Sequence, residues 1–420
     1  MNRLSATLYG LTAASLVALV VLLAACGDAA TAPPPDTSAT AGAEAGGEVP
    51  TRTVSTSSDP TAANTGMSMD SLATARERLE EARDRYRRIA NGGGWPTIPE
   101  GDLVEPGDTA AAQVQALRDR LAATFELSGA APAGDVYDGP LVAALARFQA
   151  NHGLVVDSLL GGNTRAALNV SADRRVEQIE ATLARWDDLP ALPTGPDARY
   201  VIVNVPEFRV RAFEGDREAL QMKVVVGEAY DDRATPLFHD RMEHVIFRPY
   251  WGVPPSIATE ELVPQGPAAL EEKGFQVVAN YEADAEVYPM TAATLRRVAN
   301  GSLRIRQAPG PDNALGLVKY MFPNQYAVYL HDTPADNLFD RADRTFSHGC
   351  IRLERPAEFG TWVLGPQGWD EARVRENMTT GDRQKVVLDE EIPEFIVYLP
   401  VWADQDGVVH FAEDVYDEIA

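Results

Sequence analysis

The spacing of apolar residues changes period near residue 199, and no single-domain, single-class fold suits both sides of that change. Upstream, Leu72, Ala75, Leu79, Ala82, Tyr86 and Ile89 recur at helical intervals, predicting a helix over 71–90 that Asn91-Gly92-Gly93-Gly94 ends. Downstream, residues 200–205 form an apolar run, 208–213 alternate, Glu214-Gly215-Asp216 turns, and 219–226 return. That pattern predicts a hairpin. Further strands are expected at 244–249, 303–306, 325–330 and 385–388. The expected fold is therefore multidomain: an all-α half followed by a mainly β sandwich or barrel-like sheet. With 420 residues, two or three domains can each bury a core.

The helical half divides further. Val114, Leu117, Leu121 and Phe125 mark one helix, Leu141, Leu145 and Phe148 a second, and Thr164, Ala167 and Leu168 a short third. Between the last two runs Phe148-Gln149-Ala150-Asn151-His152-Gly153-Leu154, followed by Asp157-Ser158. Residues 174–186 predict another helix through Val176, Ile179 and Leu183. We expect a helical scaffold segment over 70–109, a compact helical module over 110–170, a scaffold helix and linker over 171–196, a β-rich domain over 197–400 and a C-terminal tail over 401–420. Ala/Glu/Leu-rich sequence over 256–300 interrupts the strands as a helix-prone insertion able to cover a site.

The N-terminus reads as a targeting segment. Arg3 precedes an apolar, small-residue stretch over 8–25, and Leu23-Ala24-Ala25-Cys26 closes it. This closing run resembles the lipobox of bacterial lipoproteins, which implies cleavage of 1–25 and lipidation of Cys26. Residues 26–69, rich in Ala, Thr, Pro, Gly and Ser, predict a disordered tether. The net charge of −25 argues against a nucleic-acid partner, which needs a basic face.

The chain has two cysteines. If Cys26 carries lipid, Cys350 has no disulfide partner within the chain, and a lone thiol in an exported protein points to reactivity. Its context is Ser347-His348-Gly349-Cys350-Ile351-Arg352-Leu353, with His331 upstream at the end of an apolar run. A thiol is mostly protonated near neutral pH, so nucleophilic acyl transfer needs a base. His331 and His348 are both candidates by residue type. Backbone N–H groups of Gly349 and Cys350 suit an oxyanion, and Arg352 suits a carboxylate or fixes the loop. No HExxH occurs, and neither a metal nor another cofactor is expected.

Two resemblances follow from these residues. The stretch from Phe148-Gln149 through His152-Gly153-Leu154 and Asp157-Ser158 to Thr164 and Leu168-Asn169 resembles the three-helix peptidoglycan-binding domain. His331 with Ser347-His348-Gly349-Cys350-Ile351-Arg352-Leu353 resembles the signature of L,D-transpeptidases with a YkuD catalytic domain. Phe247-Arg248-Pro249-Tyr250-Trp251-Gly252, Asn313-Ala314-Leu315-Gly316, Phe322-Pro323-Asn324 and Tyr329-Leu330-His331-Asp332 extend the likeness to the large multidomain members of diderm bacteria. The resemblance implies Cys350 as nucleophile, His331 as general base, and Gly349 and Cys350 N–H as the oxyanion hole. It implies Tyr329, Ser347, His348 and Arg352 around the substrate, and 256–300 as a capping insertion. The implied reaction is 3→3 cross-linking of peptidoglycan stem peptides; Gly27 rather than an aspartate follows Cys26, so the lipid is expected in the outer membrane with the body on the periplasmic side. Three alternatives remain at this stage: a hydrolase or lipoprotein-attachment enzyme of the same domain type, a zinc peptidase, and a non-catalytic lipoprotein that tethers membrane to wall.

Overall fold

The computed structural model describes residues 72–124, 126–127, 134–230 and 233–419. The targeting segment, Cys26, the tether, Ser71 and Phe125 lie outside these. The helical half contains α1 (Leu72–Asn91), α2 (Ala111–Ala123), α3 (Gly139–Asn151), α4 (Gly162–Leu168) and α5 (Ala172–Asp187). Asp138 accepts the Leu141 N–H to start α3, and Ser171 accepts the Arg174 N–H to start α5, as N-cap residues do. Helices α2 to α4 close around Val114, Leu117, Leu121, Leu141, Leu145, Phe148 and Leu168, all with no solvent exposure.

The His-Gly-Leu region of this module is built for the fold. The Gln149 amide donates to Asp157 Oδ1 (2.7 Å), the Leu159 carbonyl (3.2 Å) and Thr164 Oγ1 (3.1 Å), and its oxygen accepts the Ser158 N–H (2.8 Å). One buried side chain thus ties the α3–α4 connection together, which explains the spacing of Gln149, Asp157-Ser158 and Thr164. His152 is buried, bonded through Nδ1 to the Phe148 carbonyl and stacked on Phe148 and Phe411.

The β-rich half carries β1 (Arg199–Asn204), β2 (Arg209–Glu214), β3 (Arg217–Gly227), β4 (Phe238–Phe247), β5 (Trp251–Gly252), β6 (Phe275–Val278), β7 (Val287–Tyr288), β8 (Arg304–Gln307), β9 (Val318–Met321), β10 (Leu330–His331), β11 (Thr345–Ser347), β12 (Ile351–Leu353), β13 (Gln384–Val397), β14 (Val401–Ala403) and β15 (Val409–Phe411). Nine of these form one sheet in the order β11-β3-β12-β10-β9-β4-β13-β1-β2, and β3 also pairs with β2. The hydrogen-bonded circuit therefore closes through β3, the barrel-like form of the two expected. Its interior holds Val201, Val203, Val224, Val245, Phe247, Val318, Tyr320, Leu330 and Ile351, covered by the helices Pro356–Leu364 and Glu371–Thr379.

Three expectations change. Residues 325–329 are not a strand. Asn324 accepts the N–H groups of Tyr326 and Val328 and donates to the carbonyls of Phe322 and Val328, and Ala327 has φ +55°. The side-chain amide offers the backbone an alternative to the ladder, so the strand begins only at Leu330. The 256–300 insertion is not only helical. It contributes β6 and β7 to a separate four-stranded sheet, β5-β8-β6-β7, with a core of Val253, Leu270, Val277, Leu295 and Ile305. Residues 401–411 are not a tail but the hairpin β14–β15, whose Val401, Ala403, Val409 and Phe411 pack with Leu79, Ala82, Tyr86, Ile179 and Leu183 of α1 and α5.

Candidate active site

Cys350 immediately precedes β12, which runs parallel to β10 with Leu330 opposite Ile351 and His331 opposite Arg352. Strand β9 runs antiparallel on the other side of β10, with His331 opposite Lys319. Leu330, Ile351 and Tyr320 face the core. Because strand side chains alternate, Lys319, His331 and Arg352 share the opposite face in one row. Sheet register thus gathers residues from three separate segments beside the thiol.

Cys350 is a free thiol, half-buried, with Sγ 3.8 Å from the Ala327 carbonyl, so the Asn324 turn forms one wall. Burial pushes the thiol up from its ordinary value. The Tyr329 backbone N–H and hydroxyl, then Lys319 and Arg352, pull it down. Tyr329 also meets His331 edge-on, with ring centroids 5.7 Å apart.

His331 is 3% exposed. Its Nδ1 donates to the Asp332 carbonyl, which orients the ring. Burial, and then the Arg352 charge, push its pKa down to about 3; the Asp332 and Leu315 carbonyls oppose that and Lys319 adds to it. The ring is therefore neutral at working pH. Asp332 turns its carboxylate away, accepting the N–H groups of Leu317 and Thr333 (both 2.8 Å). Gly316 is required there: its φ is +60°, and a Cβ would lie 2.4 Å from that carboxylate.

The nucleophile loop is held by a polar frame. Ser347 Oγ donates to the Cys350 carbonyl (2.5 Å) and accepts the Gly349 N–H (3.1 Å). Ser347 is thus a brace inside the loop rather than a side chain facing substrate. The Gly349 N–H, expected to face an oxyanion, is bonded inward because Gly349 at φ +105° points it at Ser347. Thr235 Oγ1 accepts the Gly227 N–H (2.8 Å) and donates to the Gly349 carbonyl (3.0 Å). The Tyr416 hydroxyl accepts from the Thr235 N–H and donates to the Gly227 carbonyl. Nothing in the spacing of Thr235 or Tyr416 signals this role; only the closure of the sheet brings them to Gly349.

One expected site residue, His348, faces elsewhere. His348 Nε2 lies 2.8 Å from Glu261 Oε1, on the single π-helical turn Ala258–Leu262 of the insertion. Arg233 bridges the same Glu261 (3.5 Å) to Glu228 (2.8 Å). His348 therefore links the nucleophile loop to the insertion instead of facing Cys350. Arg352 donates to the Phe346 carbonyl (3.3 Å); burial lowers its pKa, and Cys350 and Glu228 oppose that fall. Arg306 and Asn313 are structural. Arg306 donates to the Glu282 carbonyl and covers the Tyr250 ring, while Asn313 donates to the Pro249 and Ala308 carbonyls.

A closed β circuit presenting a thiol and a neutral imidazole on adjacent strand ends, with a separate three-helix module, defines the class of molecule. Residues 198–387 match the family model of the L,D-transpeptidase catalytic domain, YkuD, and residues 110–168 match the one described as "Putative peptidoglycan binding domain". Residues 198–387 are thus similar to YkuD-type L,D-transpeptidase catalytic domains, and residues 110–168 to peptidoglycan-binding domains. A Haemophilus influenzae protein described as "Putative L,D-transpeptidase" is 28% identical over 220 residues, 51% of this chain and 44% of that protein. The match thus spans less than half of that relative's length. Among solved structures, the L,D-transpeptidase of Stackebrandtia nassauensis aligns at 12% identity and TM-score 0.27, over 72% of this chain and 96% of that one. The enzyme from Xylanimonas cellulosilytica aligns at 14% and 0.22, over 71% and 98%.

Proposed function

We propose that the protein is a peptidoglycan L,D-transpeptidase in which Cys350 forms 3→3 cross-links. The observation that carries this reading is the Cys350 thiol at the start of β12, beside the neutral His331 of the parallel-paired β10, inside a YkuD domain.

Cys350 sulfur attacks the carbonyl carbon between diaminopimelate and the terminal D-Ala of a donor tetrapeptide stem. His331 takes the thiol proton. The Cys350 N–H would serve the oxyanion, since the Gly349 N–H is already bonded to Ser347. Collapse breaks the C–N bond, His331 returns the proton to the leaving amine, and D-Ala departs from a thioester. An acceptor diaminopimelate amine then attacks the thioester carbonyl. It loses a proton to His331, and the sulfur leaves. Arg352 would receive the acidic end of the donor, the module of α2 to α4 would hold the polymer, and the insertion, joined to the loop through Glu261, would cap the site. Cys26 would carry lipid, placing the body on the periplasmic side of the envelope with the anchor in the outer membrane.

Incubation with purified tetrapeptide muropeptides tests the reading. We expect release of D-Ala with formation of 3→3 dimers, both lost in Cys350→Ala. Tripeptide without dimer would make the protein a carboxypeptidase, and turnover by Cys350→Ala would refute the nucleophile.

A further inference from the structure

A polar cavity of about 350 Å³, which Cys350 does not line, lies where the module of α2 to α4 meets the β-rich half. The module contributes Asn151 at the end of α3 and Asn163 on α4. The β-rich half contributes Arg209 at the start of β2, Arg344 just before β11 and Trp402 on β14. Ring contacts fix the walls: His152 stacks on Phe411 (5.3 Å) and Trp402 on His410 (5.2 Å). Leu154, Val155 and Asn163 also line a 420 Å³ groove along α4, so the surface of the module opens into this cavity. Donors on the cavity wall are unused. Arg344 Nε and Trp402 Nε1 are buried with no hydrogen-bond partner. Asn151 is 8% exposed, and its side chain makes no hydrogen bond among the described residues. The Arg344 guanidinium lies 5.0 Å from the centroid of the Phe208 ring, and no carboxylate lies within ion-pair distance of it among the described residues.

The carboxylates that line the cavity leave this charge uncovered. Glu207 is taken by Arg211 (2.7 Å), and Arg209 reaches it only at 3.8 Å. Asp343 accepts the Thr345 N–H and hydroxyl, and Glu413 is exposed at the rim. Burial, and then the Arg209 charge, push the Arg344 pKa down to about 10, so it remains a cation at neutral pH. A half-buried guanidinium with an unused donor is costly until an anion satisfies it. We propose that this cavity is a carboxylate-binding subsite for the stem peptide of a peptidoglycan strand lying along the module, an inference that rests on the peptidoglycan reading above. Arg344 and Arg209 receive the carboxylate, and Asn151 and Trp402 donate to neighbouring amide oxygens. The subsite holds polymer; no bond forms or breaks there.

Co-sedimentation of the full chain with purified sacculi tests the subsite, in a Cys350→Ala background so that acyl transfer does not contribute. Adding Arg344→Gln should weaken binding roughly tenfold, the usual worth of one charge-assisted hydrogen bond, and Arg344→Lys should keep most of it. Added salt should weaken binding with Arg344 present more than with Arg344→Gln. Soluble tetrapeptide muropeptides should remove the Arg344-dependent part of the binding, and stem-free glycan strands should not. Equal binding with and without Arg344→Gln, at unchanged thermal unfolding, would overturn the proposal, as would removal of the Arg344-dependent part by stem-free strands. If Arg344→Gln melts early, Asn163→Glu decides: it sets a like charge at the exposed mouth of the cavity and should weaken binding, and unaltered binding would overturn the proposal. No binding in any form would sink the peptidoglycan reading and this proposal together, whereas equal binding would sink this proposal alone.

Discussion

The chain contains two His-Gly pairs, each with its glycine at positive φ: His152-Gly153 in the peptidoglycan-binding domain and His348-Gly349 beside the thiol. In the first, the polar side chains serve the fold. Gln149 satisfies the whole α3–α4 connection, and His152 lies between Phe148 and Phe411. In the second, Ser347 and Thr235 satisfy the loop backbone, leaving the sulfur half-buried, 3.8 Å from the Ala327 carbonyl. Similar local sequence thus builds a fold in one place and a reactive surface in the other. The difference lies in whether the polar side chains are consumed by the backbone or directed at one atom.

Removing members of each set separates the two. Cys350→Ala should abolish D-Ala release while leaving thermal unfolding unchanged, since a half-buried thiol contributes little packing. His331→Gln should lower the acylation rate by about 10²–10⁴-fold, the usual range for a general base, measured by single-turnover release of D-Ala. Gln149→Leu should do the reverse, destabilising the helical module by about 3 kcal/mol through its orphaned partners, with no loss of turnover on soluble muropeptides. Thr235→Val lies between the two. It leaves the Gly227 N–H and Gly349 carbonyl without a partner, costing about 2 kcal/mol and roughly tenfold in acylation as the loop shifts.

A smaller effect concerns acid. The pKa of His331 is depressed to about 3 in the fold, against an ordinary value near 6.5 when unfolded. Its contribution is fully present above about pH 6.5, where both states are neutral, and is lost as pH falls toward 3, because the unfolded chain binds the proton first. His152, also pushed down by burial, adds to the same trend. Thermal unfolding temperature should fall steadily from pH 6.5 to 4, and His331→Gln should flatten that slope.

Much of the site is legible in the sequence because chemistry restricts residue type locally. Cys350, His331, Tyr329 and Arg352 lie in two short segments whose strand pairing brings them together. What is not legible depends on register between distant strands. Lys319 enters the site through the β9–β10 pairing, and Thr235 and Tyr416 through closure of the sheet and the C-terminal segment. The roles of Ser347 and His348 follow from conformation rather than spacing: a positive φ at Gly349 turns its N–H to Ser347, and a π-helical turn sets Glu261 opposite His348. The sheet of the insertion escapes sequence reading because β5 and β7 are two residues each, too short for a period to register.

The central claim is that the Cys350 sulfur carries the acyl group. Intact mass and peptide mapping after exposure to a carbapenem test it most directly, because an opened β-lactam stays bonded to the attacking atom. A single adduct is expected on the Cys350 peptide in wild type and none in Cys350→Ala. An unmodified mass, or an adduct on any other residue, would contradict it.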